Sequence, residues 1–193
     1  MTVLMTLEVP GGTTAQYDRA NAVMGVAEDG RLPRGLVVHT CAVTDDGILI
    51  IDVWDSPGSF EEFWRDRLSA ALTEAGLDTA TPQLSAVHSL VFGKGEEPNV
   101  LVLLHASGVT ADQYDTLVAR MPTLGDRENH PAVVHVAAIE PDGLHTVGVW
   151  DSEAASKEFA QSQLFPVIDN PHHFVLRFWR VHNYLRTQPP TET

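Results

Sequence analysis

Apolar and polar positions along the chain fall into blocks whose period changes from two to about 3.6 and back. "TVLMTLEV" (Thr2–Val9) and "NVLVLLHA" (Asn99–Ala106) are apolar, rich in β-branched residues, and read as strands. After the first, Tyr17, Ala20 and Met24 fall on one helical face behind Thr13 or Thr14 as N-cap; after the second, Tyr114, Val118 and Met121 do the same behind Thr110. A hairpin pattern follows each helix. Next, Ser56 can cap a second helix with Pro57 at its first position. Phe60, Phe63, Trp64, Leu68, Ala71 and Leu72 form its apolar stripe, and Gly76 is placed to end it. Closing strands are predicted in "QLSAVHSLVF" (Gln83–Phe92) and "HFVLRFWRVHNYL" (His173–Leu185). "ILIIDVW" is apolar at nearly every position, so that strand is expected to be covered on both faces.

The blocks repeat. Gly35–Leu68 aligned without gaps to Pro131–Leu164 gives 13 identities in 34 positions, where chance gives roughly two, and a long-period match is the signature of duplicated units. "TAQYD" answers "TADQYD", and "AVHSLVF" answers "RVHNYLR". Each copy therefore reads strand, helix, strand, strand, helix, strand. The expected division is residues 1–93 for the first half, 94–99 for a linker ("GKGEEPN" spans it), 100–187 for the second half and 188–193 for a disordered tail.

A chain of 193 residues with 44% hydrophobic content can bury a substantial core. A formal net charge of −14 works against nucleic acid or an anionic membrane as partner, since both need a basic footprint. Cys41 is the only cysteine, so no intramolecular disulfide is expected, and no basic region followed by a long apolar run opens the chain. A cytoplasmic setting is the default expectation. Gly-rich phosphate loops, a Ser nucleophile elbow and Cys-x-x-Cys are all missing from the sequence.

A βαββαβ unit whose strand ends in Val-Trp-Asp-Ser, with a Phe about eight residues into the following segment and a Val-His final strand, resembles the dimeric αβ-barrel superfamily, in particular its antibiotic biosynthesis monooxygenase-like branch. The resemblance covers nearly the whole chain, twice. In that superfamily two ferredoxin-like protomers pair their sheets into one barrel, and fused versions carry both halves on one chain. The resemblance thus implies an α+β fold of two ferredoxin-like βαββαβ repeats forming a pseudo-dimeric αβ barrel, with further homo-oligomerisation open. It also implies a small apolar or aromatic molecule as partner. Family members include cofactor-free oxygenases of activated polycyclic phenols, haem-degrading oxygenases, haem enzymes and lactone isomerases. The Asn, Trp and His set of the haem-degrading subgroup is not recognisable here, and the expectation is no cofactor.

The chemistry-bearing residues cluster on the hairpins. A two-residue turn at Asp46-Gly47 sets His39 opposite Trp54 and Cys41 opposite Asp52; the turn Asp142-Gly143 sets His135 opposite Trp150. His39 can act as base, Asp52 can fix its tautomer and Trp54 can stack on an acidic phenol. Equally, the His/Trp pairs can be a packed scaffold made twice, because repetition favours structure over chemistry. In the second copy Phe60 and Trp64 become Ser156 and Ala160, Ile50 becomes Thr146 and Asp52 becomes Gly148. This loss of bulk predicts the larger pocket there, lined by Tyr114, His135, Trp150, His182, Ser156 and Ala160. No histidine pair has helical i, i+4 ligand spacing, so no metal site is expected, with haem ligation by His172 or His173 ahead of zinc as the alternative. The two functional readings are an enzyme resembling cofactor-independent monooxygenases and a non-catalytic barrel that binds a hydrophobic ligand or serves structurally.

Overall fold

The computed structural model describes residues 1–26, 32–77, 81–126, 129–167 and 174–187. The strands are β1 (Val3–Pro10), β2 (Leu36–Val43), β3 (Gly47–Trp54), β4 (Gln83–Phe92), β5 (Val100–Ser107), β6 (Val134–Glu140), β7 (Gly143–Trp150) and β8 (Phe174–Arg186). They hydrogen-bond in the order β1-β3-β2-β8-β5-β7-β6-β4, a closed barrel. Two compact units divide the chain: Met1–Leu84 with the residues from His182 onward, and Ser85–Val181. The expected tail, residues 188–193, lies outside the described residues.

In the first unit, α1 (Thr14–Met24) begins at a capping box. Thr13 accepts the backbone N–H of Gln16, whose side chain reaches back to Thr13. It ends at Gly25, in the left-handed conformation that glycine adopts without a Cβ penalty. Ser56 caps α2 (Pro57–Phe63), with Pro57 where its missing N–H costs nothing. The expected single second helix is instead α2, a π-helical stretch over Trp64–Leu68, and α3 (Ser69–Ala75). The helices cover Val3, Met5, Leu7, Ile48, Ile50 and Trp54 from one sheet face. The alternate residues Leu49, Ile51 and Val53 are buried as well, so β3 is covered on both faces. Cys41 is fully buried in the same core, and burial pushes its thiol up to about 12.

The second unit follows the same local rules. Thr110 and Gln113 form the capping box of α4 (Ala111–Arg120), which is followed by the short α5 (Pro122–Gly125). Ser152 caps α6 (Glu153–Phe159), which again runs into a π-helical stretch, Ala160–Leu164. The Trp-Asp-Ser ending is thus three separate devices. Trp54 and Trp150 pack inward, Ser56 and Ser152 cap helices, and Asp151 accepts the backbone N–H groups of Glu96 and Glu97 at 2.9 and 2.8 Å.

The hairpin registers differ from expectation by two residues. His39 pairs with Asp52 and Cys41 with Ile50; His135 pairs with Gly148 and Ala137 with Thr146. The turns are Asp45-Asp46 and Pro141-Asp142, while Gly47 and Gly143 belong to their strands. Those glycines answer to the neighbouring strand rather than to the turn: a Cβ on Gly47 would lie 2.2 Å from the Val9 carbonyl oxygen, and one on Gly143 2.2 Å from that of Ala106. A shift of two keeps every side chain on its expected face.

Candidate active site

A cavity of about 710 Å³ opens in the second unit between the sheet and helices α4 and α6. Its wall is mostly apolar, with Val102, Leu104, Leu117, Leu144, Leu176 and Phe178 among the lining side chains. Its polar lining comprises Tyr114, His135, Thr146 and Ser156 together with Asp112, Gln113, Thr116, Arg120, Lys157 and Gln161. That composition is typical of small-molecule sites, which bury an apolar body and orient it by a few polar contacts. The space lies where sheet and helix both lose bulk: Thr146, Gly148, Ser156 and Ala160 all line it. At Gly148 a Cβ would come within 2.5 Å of Trp150 Nε1, so the missing side chain is what lets the indole lie over this strand.

Two imidazoles sit together beside the cavity. His135 lines it, and the ring of His130 stacks on that of His135 at 5.1 Å between centroids. His130 also meets Trp150 and Phe159 at 5.9 and 5.7 Å, so the expected His135–Trp150 pairing is bridged by a third ring. The Ala132 backbone N–H donates to His130 Nδ1 at 3.1 Å. A neutral ring then carries its proton on Nε2. Nε2 of His130 and Nε2 of His135 are both buried without a hydrogen-bond partner. Burial pushes His130 down to about 4 and His135 to about 3, the latter also opposed by its neighbour His130. Both are therefore neutral at physiological pH. The Tyr114 hydroxyl is buried with no partner in hydrogen-bond geometry; burial raises its pKa, with Ser89 close enough to oppose the rise.

The first unit places the same residue types in a closed arrangement. Asn183 donates to the Tyr17 hydroxyl at 2.8 Å, and Tyr17 meets His39 Nε2 at 2.6 Å. On the other side of the ring, His39 Nδ1 meets Asp52 Oδ1 at 2.6 Å, and Trp54 Nε1 donates to Asp52 Oδ2 at 3.3 Å. With the amide donating to the phenol oxygen, the phenol proton goes to Nε2, and the imidazole donates from Nδ1 to Asp52 Oδ1. Burial also raises the pKa of the Tyr17 phenol. The expected trio His39, Asp52 and Trp54 thus comes together, with Asp52 rather than direct contact linking His39 to the indole. Trp54 is fully buried against Phe60 and Phe63. The void beside the network is about 40 Å³, near the volume of one water.

His182 is a correction. It does not line the second unit's cavity but belongs to the first unit, where it pairs with Asp18 at 2.8 Å and meets Tyr17 edge-on. The matching pair in the second unit is His88 with Asp115 at 2.7 Å, edge-on to Tyr114. The physical reason is that β4 from Ser85 onward belongs to the second unit and the end of β8, from His182, to the first. His130 was not singled out from sequence, because it stands outside both the strand and helix periodicities. Its signal is the internal sequence alignment itself, which sets it against Arg34. His172 and His173 lie outside the described residues.

No protein-family profile matches the chain, and no curated protein matches it in sequence. Solved structures do. A "putative monooxygenase" of Lactobacillus acidophilus superposes with a TM-score of 0.66 at 11% identity, covering 96% of this chain and 97% of that one. One of Fusobacterium nucleatum gives 0.69 at 8% identity, covering 96% and 94%. An "anthrone oxidase-like protein" gives 0.52 at 12% identity, covering 96% and 92%. At these identities the likeness shows a common fold.

Proposed function

We propose that this chain is a tandem duplication of a ferredoxin-like half-barrel in the antibiotic biosynthesis monooxygenase-like branch, and that its second unit is a small-molecule site for an apolar, aromatic substrate. The observation that carries the reading is the open apolar cavity with the unpartnered, neutral imidazole of His135 on its wall. His135 is the imidazole on the cavity wall and is assigned as the base; burial opposes its protonation, so it accepts a proton from a C–H or O–H of a bound ring system only as negative charge develops on that ring beside it. Trp150 and Phe159 offer faces for stacking, and the free hydroxyl of Tyr114 can hold a substrate oxygen. The reaction proposed is oxidation of an activated methylene to a carbonyl. The carbanion left by deprotonation reacts with dioxygen, one oxygen atom stays in the product and the other leaves as water, so no external reductant is needed. The names of the structural neighbours are consistent with this chemistry, and the proposal requires no resident cofactor.

The first unit is assigned the scaffold role, since its imidazole is already engaged on both nitrogens. The test is oxygen uptake with a tricyclic anthrone as probe, together with quenching of tryptophan fluorescence on binding. Uptake should vanish in His135→Ala and persist in His39→Asn, provided the latter folds as judged by circular dichroism. Binding without oxygen uptake would instead support the non-catalytic ligand-binding reading. A Soret band in the natively purified protein would overturn the cofactor-free one.

A further inference from the structure

We propose that His105, His145 and Asp142 of the second unit form a binding site for a late first-row divalent metal ion, zinc(II) or a close neighbour. Among the described residues these three bring their donor atoms within 4.8 Å of one another. His105 on β5 and His145 on β7 are direct cross-strand partners, and their rings stack at 4.3 Å with an interplanar angle of 22°. Asp142, in the turn before β7, sets one carboxylate oxygen 3.0 Å from His145 Nε2 and the other 3.4 Å from His105 Nε2.

These separations match what a metal needs. A tetrahedral ion with bonds of about 2.0 Å to nitrogen and oxygen has donor–donor edges of roughly 3.3 Å. The scaffold is preorganised: the β5–β7 ladder fixes both histidines, and the Gly108 N–H holds the Asp142 carbonyl at 2.8 Å. His105 Nε2 is buried and lacks a hydrogen bond of good geometry, so the carboxylate alone does not satisfy both rings. A cation between them does, taking a lone pair from each imidazole and charge from Asp142, with the remaining position open to water. Imidazole donors select zinc, copper and nickel over magnesium and calcium.

The first unit supplies an internal contrast. Glu8 and Leu49 pair across β1 and β3 where His105 and His145 pair across β5 and β7, so neither histidine is a repeated scaffold element. The site is also separate from the cavity, because Leu104 and Thr146 line the cavity and their neighbours His105 and His145 alternate to the opposite sheet face. Sequence spacing did not reveal the cluster, since it exists only when β5 lies beside β7.

The experiment is calorimetric titration of the metal-free full chain with zinc sulfate, alongside cobalt(II) absorption spectroscopy. One equivalent should bind, with intense visible bands for cobalt, and magnesium chloride should give no heat. His105→Gln and His145→Gln should each weaken binding by about tenfold or more, and the double variant should abolish it. Asp142→Asn, which keeps the side-chain shape, should also weaken it. No binding by the parent protein, or undiminished binding by a folded double variant, overturns the proposal.

Discussion

The two units hold the same residue types at matching positions and put them to opposite ends. In the first, Asn183, Tyr17, His39, Asp52 and Trp54 form a continuous chain of donors and acceptors, beside a void of about 40 Å³. In the second, Tyr114, His135 and Trp150 remain, but Gly148 stands where Asp52 does and the adjoining cavity is about 710 Å³. Losing one carboxylate leaves an imidazole without its counter-group; losing two aromatic rings on the facing helix leaves room beside it. A buried polar network is stable when every member is satisfied, and removing one member leaves the facing group without its partner. The contrast therefore sets a satisfied constellation beside an unsatisfied one within one chain.

The largest expected effect comes from breaking the complete network. Asp52→Ala removes the acceptor of both His39 Nδ1–H and Trp54 Nε1–H inside the core. Unfolding by denaturant should show a loss of about 3–5 kcal/mol. A loss below about 1 kcal/mol would mean that the network contributes little beyond an ordinary hydrogen bond.

Acid should act mainly through the second unit. His130 and His135 have folded values near 4 and 3, lowered by burial, while in the unfolded chain they bind protons near 6.5. The unfolded state therefore takes up protons first. Stability is fully present above about pH 6.5 and falls as the pH drops toward 4 and then 3. Replacing both residues with Gln should flatten this part of the profile, and proton NMR should show two imidazoles that do not titrate above pH 5. If both titrate near 6.5, the rings are solvated and the orphaned pair does not exist in solution.

Filling the cavity makes the second unit resemble the first. Ser156→Phe and Ala160→Trp restore the rings of Phe60 and Trp64. Thermal stability should be kept or raised by roughly 1 kcal/mol, with anthrone binding lost. Unchanged binding would place the ligand elsewhere.

The smallest effects should fall on the feature that the units share. His182–Asp18 and His88–Asp115 are half-exposed pairs of the same geometry. Replacing either histidine with Ala should cost less than about 1 kcal/mol, and by a similar amount in the two units. A large difference between them would show that one pair carries a role the geometry does not explain.

Sequence periodicity was enough to place the strands and capped helices, because caps, turns and alternation are local. Aligned volume differences at Phe60/Ser156, Trp64/Ala160 and Asp52/Gly148 were enough to locate the cavity, because close packing turns lost side chains into space. Register was misread because Gly47 and Gly143 looked like turn residues, and the reason for a glycine there sits on the neighbouring strand. His182 was misplaced for a related reason: the unit to which a last strand belongs is decided by long-range pairing. His130 is marked in sequence only by its alignment against Arg34, and the His105–His145 pair requires tertiary structure outright.

Cys41 has a practical consequence. It is the only thiol in the chain, fully inaccessible, and its burial suppresses thiolate formation. A thiol-reactive dye can therefore reach it only when the first unit opens, so labelling rates without denaturant read the opening frequency of that unit alone. The protein carries its own clock for one half of the molecule, and Asp52→Ala should make that clock run faster while Ser156→Phe leaves its pace unchanged.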